Sequence, residues 1–338
     1  MAETFTAALV GSESLLGREI RDVVATSGED IHLRLIASED EQAGTLTRVG
    51  DEPSLVEGLS PESFDGVRAI FLAASADVNR KALEIAGDEP EVAIIDLTDS
   101  AEERPDARLR APMIESADDL ESESPEGRVH VIAHPAAIAL ALFLRRIHEH
   151  DRIRRSVIQI FAPASERGSS AVEELQQQTI SLLSFKSLPR AIFDAQLSFN
   201  LLARYGSEAP AALEETELRI ERHLATLLAL PGEGEGATMP SLRVVQAPVF
   251  HGYSFSAWVE LESNPGVDAL ESGLVTAAIE VRGRDFEPPN NVGHAGQNGI
   301  AVGHIAEDRN NPEACWFWLV ADNLRLPAEN AVAVARQL

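Results

Sequence analysis

Cysteine is nearly missing from this chain of 338 residues: Cys315 is the only one. An internal disulfide and a cysteine-based zinc site are therefore excluded. Cys315 sits in "EACWFWLV", among bulky apolar neighbours, and reads as core rather than as a reactive thiol. Lysine is almost absent as well. Lys81 and Lys186 stand alone, arginine supplies the other positive charge, and Schiff-base chemistry has few candidates. No apolar run reaches the roughly 18 residues of a membrane span, so none is expected. The opening "MAETFTAALVGSE" lacks the basic start of a signal peptide, which makes the cytoplasm the expected location. Positive charge is scarce beside negative: 28 Lys and Arg against 55 Asp and Glu leave a net −27. Long-range repulsion then disfavours nucleic acid and anionic membranes as partners, while leaving room for a locally basic pocket that takes a small anion.

What is present is a globular composition, 44% apolar, in a chain long enough for two domains. "FTAALVGSESLLGREIRDVVATSG" reads as a buried strand, a glycine-containing turn and a helix, with Leu15, Leu16, Ile20, Val23 and Val24 at helical spacing. "IHLRLIAS", "VRAIFLAAS" and "EVAIIDLTD" read as strands, and "DVNRKALEIAG" as a short helix stopped at Gly87. This alternation predicts an α/β fold with a doubly wound parallel sheet. The acidic, proline-interrupted stretch from 99 to 128 reads as surface loop. Past residue 150 the texture changes to longer strands: "RSVIQIFAPAS" reads as a strand, "LRVVQAPVF", "FSAWVELES" and "GLVTAAIEVR" as strands or short elements, and "SSAVEELQQQTISLL" and "PAALEETELRIERHLATLL" as helices. A second, α+β domain is expected there.

Two turns from strand to helix invite chemistry. "GSESLLG" keeps Gly11 and Gly17, with Ser14 between them. A dinucleotide fingerprint uses glycines for the tight turn and for close approach of a pyrophosphate; here the middle one is missing. A phosphate loop and an ordinary turn both remain open. Glu39, Asp40 and Glu41 follow the second strand. An acid about 20 residues past such a loop commonly takes the ribose hydroxyls of NAD. It would repel the 2′-phosphate of NADP by roughly 3 kcal/mol at about 6 Å. Three solvated surface acids are the other reading. The second turn lies in "HVIAHPAAIALALFL". A helix N-terminus favours an anion by about 0.3–1 kcal/mol and can lower a cysteine pKa, yet this seat holds Ala136 and Ala137. His148 and His150, two apart on a helix, do not share a face, and no metal site is expected.

Nearly end to end, the chain resembles the aspartate-semialdehyde dehydrogenase family. The stretches that carry the likeness include "ALVGSESLLGREI", "LIASEDEQAGTL", "IIDLTDSAEERPD", "GSSAVEELQQQT", "APVFHGYSFSAWVEL", "IAVGHI" and, most specifically, "WLVADNLRLPAENAVAVA". The resemblance implies a homodimer and three stretches: an NAD(P)-binding Rossmann domain over 1–133, an α+β dimerisation and catalytic-type domain over 134–314, and a segment over 315–338 returning to the first. It implies cofactor contacts at Gly11, Ser12, Glu13, Ser14, Leu15, Leu16, Gly17, Ser38, Asp40 and Asn323. The family reduces aspartyl phosphate through a thiohemiacetal and a thioester on cysteine.

That cysteine belongs to an Asn-Pro-Asn-Cys-Ser-Thr turn, which here reads His134-Pro135-Ala136-Ala137-Ile138-Ala139. Ala137 thus takes the nucleophile's position. The family's glutamine falls on Ala162, its substrate-binding arginine on Gln246 and its acid/base histidine on Tyr253. A basic phosphate-binding residue is lost to Asp40, and a Ser-Gly-Ala-Gly stretch becomes Ser165-Glu166-Arg167-Gly168. Glu221 keeps the place of a substrate-binding glutamate. None of the catalytic set is intact, and the departures resemble a cysteine-less subgroup, the Usg proteins. Losing a nucleophile can cost on the order of 10^6 in rate, so the family reaction is not expected. The candidate substitutes are Ser165, which has no evident base, and His251, which would share a strand face with Tyr253 at about 7 Å. Three readings stay open: a catalytically inactive dimer that binds or regulates, an NAD(P)-dependent oxidoreductase with a repurposed site, and an assembly partner of an active paralogue. NAD or NADP is expected to bind weakly.

Overall fold

A central parallel strand is shielded on both faces, and the first apolar run meets that demand: Ala7, Ala8, Leu9 and Val10 have no exposed surface. In a computed structural model that describes residues 5–27, 31–38, 43–50, 52–87, 92–115, 128–232, 234 and 236–338, this run is β1 (Phe5–Val10). Contacts divide the chain into two units, Met1–Ala133 with Pro327–Leu338, and His134–Leu326. Among the described residues, no helix is long and apolar enough to cross a membrane.

The first unit is a Rossmann-type α/β unit. Its further strands are β2 (Ile31–Ile36), β3 (Leu46–Val49), β4 (Glu52–Glu57), β5 (Ala69–Leu72), β6 (Ala93–Asp96), β7 (Ala107–Arg110) and β8 (Val129–Ile132). They form one sheet in the order β3-β4-β2-β1-β5-β6-β8-β7. Every neighbouring pair is parallel except the β3–β4 hairpin. The chain runs from β1 outward through β2, then crosses to β5 on the other side. The order therefore reverses beside β1, and in open parallel sheets ligands bind outside the carboxyl ends of the strands at such a point. The turn Gly11–Ser14 stands there, leading into the helix Leu15–Thr26, which buries Ile20, Val23 and Val24. Two parts of this sheet were not expected from the sequence. The β3–β4 hairpin is mostly exposed and carries little apolar pattern. β7 lies in the acidic stretch read as loop. Only Arg110 of its four residues is buried. Its guanidinium, 2.8 Å from the buried Glu115 carboxylate, explains how an arginine sits inside.

The second unit holds β9 (Ile153–Ala162), β10 (Ser241–Gln246), β11 (Tyr253–Leu261), β12 (Ile279–Arg282), β13 (Ile300–Glu307) and β14 (Ala314–Ala321). Their order is β10-β9-β11-β14-β13-β12, a mixed sheet. Pro135 starts the helix Pro135–His150, where its fixed φ and missing N–H cost nothing. The helix packs on β9, β14 and the helices Leu213–Leu228 and Val267–Leu274. Ile138, Leu140, Phe143 and Leu144 are fully buried, each worth about 1.5–3 kcal/mol. Phe143 meets Phe317 edge to face at 5.1 Å.

"GLVTAAIEVR" falls into short elements: its first two residues end the helix Val267–Leu274, and Ile279–Arg282 pairs. One boundary differs from expectation. The return to the first unit does not begin at Cys315. Cys315 lies in β14, which pairs with both β11 and β13, so the division falls after Leu326. A strand with two paired edges belongs to its sheet, whatever the chain does next.

Candidate functional site

The turn after β1 depends on its glycines. Gly11 has φ +80°, and a Cβ there would lie 2.8 Å from Ala74. A Cβ on Gly17 would meet the Gly11 carbonyl at 2.1 Å. The Ser14 hydroxyl accepts from the Gly17 N–H at 2.9 Å and donates to the Ala73 carbonyl at 2.8 Å. It caps the helix and ties the turn to the end of β5. Glu13 reaches back to pair with Arg21, and Arg18 stands 3.5 Å from it. Leu15 and Leu16 open the helix half-buried. Ser12 is fully buried, and its hydroxyl has no hydrogen-bond partner among the described residues. Ser38 follows β2. Asp40, with Glu39 and Glu41, lies outside the described residues.

The second site is built at one end of the sheet in the other unit. Ala162 ends β9 and Gln246 ends β10, and the two are register partners. Tyr253 begins β11, opposite Ala321 at the end of β14. Ala162 is thus brought beside Gln246 and Tyr253, more than 80 residues further on, by strand pairing. Ala137 is fully buried in the first turns of the helix Pro135–His150. His134 caps that helix, its Nδ1 accepting from the Ala136 N–H at 3.2 Å. The same ring places Nε2 2.9 Å from the Glu166 Oε1. With one nitrogen accepting a backbone N–H, the ring proton resides on Nε2 and is donated to the carboxylate. The His134 backbone N–H donates to His223 Nδ1 at 2.9 Å. The fully buried ring of Tyr253 lies 5.9 Å from that of His134, edge to face.

Electrostatics follow from these contacts. Burial works against charge on Glu166, whose side chain is 16% exposed. The His134 imidazole, the Tyr253 hydroxyl and the Arg219 guanidinium outweigh it and hold the carboxyl below the ordinary glutamate range. Tyr253 goes the other way: burial, then the nearby Glu166 charge, raise its phenol well above the usual tyrosine value. Its hydroxyl is close enough to couple to Glu166 but has no partner of good hydrogen-bond geometry among the described residues. It holds its proton at neutral pH.

Gln246 is spent on its neighbours. Its Nε2 donates to the carbonyls of Ala162 at 2.9 Å and Ala247 at 3.2 Å, and its Oε1 accepts from the Tyr205 hydroxyl at 2.7 Å. The Ser165 hydroxyl lies 3.0 Å from Asn323 Nδ2, and Asn323 Oδ1 accepts from the Gly252 N–H at 2.8 Å. Asn323 therefore holds Ser165 and the approach to β11 within the second unit. His251 does not share a strand face with Tyr253. β11 begins at Tyr253, and Gly252, at φ +82°, breaks the alternation between them. His148 accepts from the Ile153 N–H at 3.1 Å, the task of a loop anchor. Among the described residues, no group of three or more His, Cys, Asp or Glu is placed to hold a metal ion.

Sequence reasoning missed the pairing at this site. His134 and Glu166 were each visible alone. Nothing in a single sequence links positions 32 residues apart across a helix and a strand. His223 and Tyr205 carried no signal, since a helical histidine and a loop tyrosine usually belong to the core.

Comparison with known proteins places this geometry. A family model described as semialdehyde dehydrogenase, dimerisation domain, matches residues 144–326. Aspartate-semialdehyde dehydrogenase of Rickettsia bellii is 25% identical over 100% of this chain and 98% of its own length. A USG-1 protein homolog of Pseudomonas aeruginosa is 29% identical over 100% of this chain and 98% of its own. The structure of a probable aspartate-semialdehyde dehydrogenase from Pseudomonas aeruginosa superposes with TM-score 0.80 at 28% identity, covering 99% of this chain and 98% of that one.

Proposed function

Because the chain belongs to the semialdehyde dehydrogenase family through its dimerisation domain, we propose that it is a catalytically silent, homodimeric relative of aspartate-semialdehyde dehydrogenase, working in the cytoplasm by binding or regulation. The observation that carries this reading is the state of the helix N-terminus at His134–Ala137. The side chain at 137 is a methyl group, and His134, Glu166 and Gln246 are committed to neighbouring groups. The His134 lone pair is taken by the Ala136 N–H, and its proton by Glu166. Gln246 has both ends of its amide engaged. Tyr253 keeps its proton at neutral pH. Among these described groups, none is left as a nucleophile or as a base poised beside one. The Glu166 carboxylate, 2.9 Å from His134 at this helix N-terminus, would repel an acyl phosphate brought there.

The test is turnover of aspartate semialdehyde with phosphate, followed as NADP(H)- and NAD(H)-linked absorbance change. The expected result is none above buffer. Measurable turnover by the unmodified protein refutes the silent reading and returns the search to Ser165 and His251.

A second reading, an NAD(P)-linked oxidoreductase with a repurposed site, has one observation behind it. The β1 turn keeps Gly11 and Gly17 at positions where a Cβ would collide, and it holds a buried serine hydroxyl without a partner. Those features fit a pyrophosphate over Gly11–Gly17. Ser14 and Glu13 fit less well, because one spends a helix N–H and the other adds negative charge. A nicotinamide bound there would supply hydride chemistry. Weak NAD binding, and weaker NADP binding given the acids at 39–41, is the expected outcome of calorimetric titration. Mixed dimers with an active paralogue in cell extract would instead favour the assembly-partner reading.

A further inference from the structure

A notch opens at the β12 edge of the second unit's sheet, where one strand stops and its neighbour continues. β12 pairs with β13 from Ile279 beside Ile300 to Arg282 beside Gly303, and β13 runs on to Glu307. Past Gly303, that edge of β13 has no strand partner among the described residues. The chain leaving β12 turns away from it. A cavity of about 600 Å³ results, lined by Val267, Arg284, Phe286, Pro288, His304 and Glu307, among others. That is the size of a small-molecule site, roughly 300–1,000 Å³.

The walls of the notch are fixed. The Phe286 N–H donates to the Gly283 carbonyl at 3.0 Å, and the Trp318 indole donates to the Pro289 carbonyl at 3.0 Å. A Cβ on Gly303 would stand 2.7 Å from the Pro289 ring, so the loop lies directly on β13. His304 has φ +48°, and the register against β14 shifts between Gly303 and Ala306. Such a bulge re-aims a side chain. A positive φ away from glycine persists where the surroundings impose it, and it clusters at ligand sites. Here it brings an imidazole to the cavity wall.

Charge identifies the ligand. Arg282 is committed to Glu280 at 2.8 Å. Arg284 and Glu307 line one cavity, yet among the described residues neither side chain has an ion pair or a hydrogen bond. Opposite charges held apart across a void are complementary to a zwitterion. A phosphate would face Glu307 and the net −27 of the chain, and a simple amine would face Arg284. Val267, Pro288 and the Phe286 ring, 72% exposed, match an apolar body. We propose that this notch binds a free α-amino acid with an apolar side chain: its carboxylate meets Arg284 and His304, its ammonium meets Glu307, and its side chain rests on Phe286. The notch is separate from the site at His134. Tyr253, Ala321 and Ile300 are register partners at one end of the sheet, whereas Glu307 pairs with Cys315 towards the other, across the sheet from β9 and β10. The inference goes beyond the catalytically silent reading, which turnover tests separately.

The test is calorimetric titration of the full chain with L-phenylalanine and L-leucine. Two analogues run beside them: hydrocinnamate, which lacks the ammonium, and phenethylamine, which lacks the carboxylate. Both amino acids should bind with a Kd of about 1 mM or tighter, and each analogue about 10-fold more weakly or worse. Arg284→Gln and Glu307→Gln should each weaken L-phenylalanine by about 10-fold or more. His304→Asn tolerates the same φ and should weaken it by about 5-fold, with the melting temperature unchanged. Failure of both amino acids to bind overturns the proposal. An analogue that binds as tightly as L-phenylalanine overturns the zwitterion. Binding undisturbed by both Arg284→Gln and Glu307→Gln places the amino acid elsewhere and overturns the notch.

Discussion

The turn from β1 and the turn from β8 start alike, with a buried parallel strand running into a helix N-terminus, and end differently. At Gly11–Gly17 side chains are kept out: a Cβ would collide at either glycine, and a buried hydroxyl is left without a partner. At His134–Ala137 side chains come in: an imidazole caps the helix and a carboxylate 2.9 Å away completes the arrangement. The backbone of both turns serves the fold, so both persist. The first keeps a demand that a ligand could meet. The second has its helix cap satisfied internally, by His134 and Glu166.

The largest expected effect is at Gly17. Gly17→Ala places a methyl group 2.1 Å from the Gly11 carbonyl. We expect a loss of about 3 kcal/mol or more in urea unfolding, and loss of any nucleotide binding. The matched change in the other turn, Ala137→Cys, should cost about 1–3 kcal/mol by overpacking a fully buried site, and yield no turnover. A harmless Gly17→Ala would break the contrast.

Acid should weaken both units through different groups. In the first, burial and then the nearby Arg110 and Arg108 push the His130 pKa down from 6.5 to about 4. The unfolded chain binds the proton first, so stability is lost as pH falls from 6.5 towards 4, by up to about 3 kcal/mol. In the second, the pKa of Glu166 lies below the ordinary 4.5. Its contribution is present above that value and is lost as pH falls through the lowered one. Burial also holds His148 and His294 of the second unit below the ordinary histidine value, so both units should weaken below about pH 6.5, and His130→Gln should remove the first unit's share of that loss in urea unfolding at acid pH.

A double-mutant cycle on His134→Ala and Glu166→Ala should give a coupling of about 1.5–3 kcal/mol, as for a hydrogen bond to a charged group. Coupling near zero would mean that the two substitutions are independent. The smallest effect belongs to Ser12→Ala. It should leave stability unchanged, since the hydroxyl has no partner among the described residues, and weaken nucleotide binding by about 0.5–1.5 kcal/mol. No change in NAD binding would remove the support that Ser12 lends to a nucleotide site.

Much of the first unit was legible because its signals are local. The apolar run of β1, the glycines that bracket the turn and the helical spacing of Ile20, Val23 and Val24 lie within about two dozen residues and need no partner to be read. β7 was not legible, because its one buried side chain is an arginine and only Glu115 makes that tolerable. In the second unit the strands were visible but their limits were not. Cys315 looked like the start of a return until β14 proved to be paired on both edges.

The sequence by itself determined that position 137 carries no nucleophile, that one cysteine serves the whole chain, and that two strand-to-helix turns exist. Those are properties of residue identity and of short-range periodicity. Only the tertiary structure decided that His134 and Glu166 form a pair, that Gln246 is consumed by Tyr205 and Ala162, and that Gly252 turns His251 off the strand face it would otherwise share with Tyr253. Each of those facts depends on groups brought together by strand register or helix packing. A hydrogen bond needs its donor and acceptor within about 3 Å, a condition that separation along the chain does not encode.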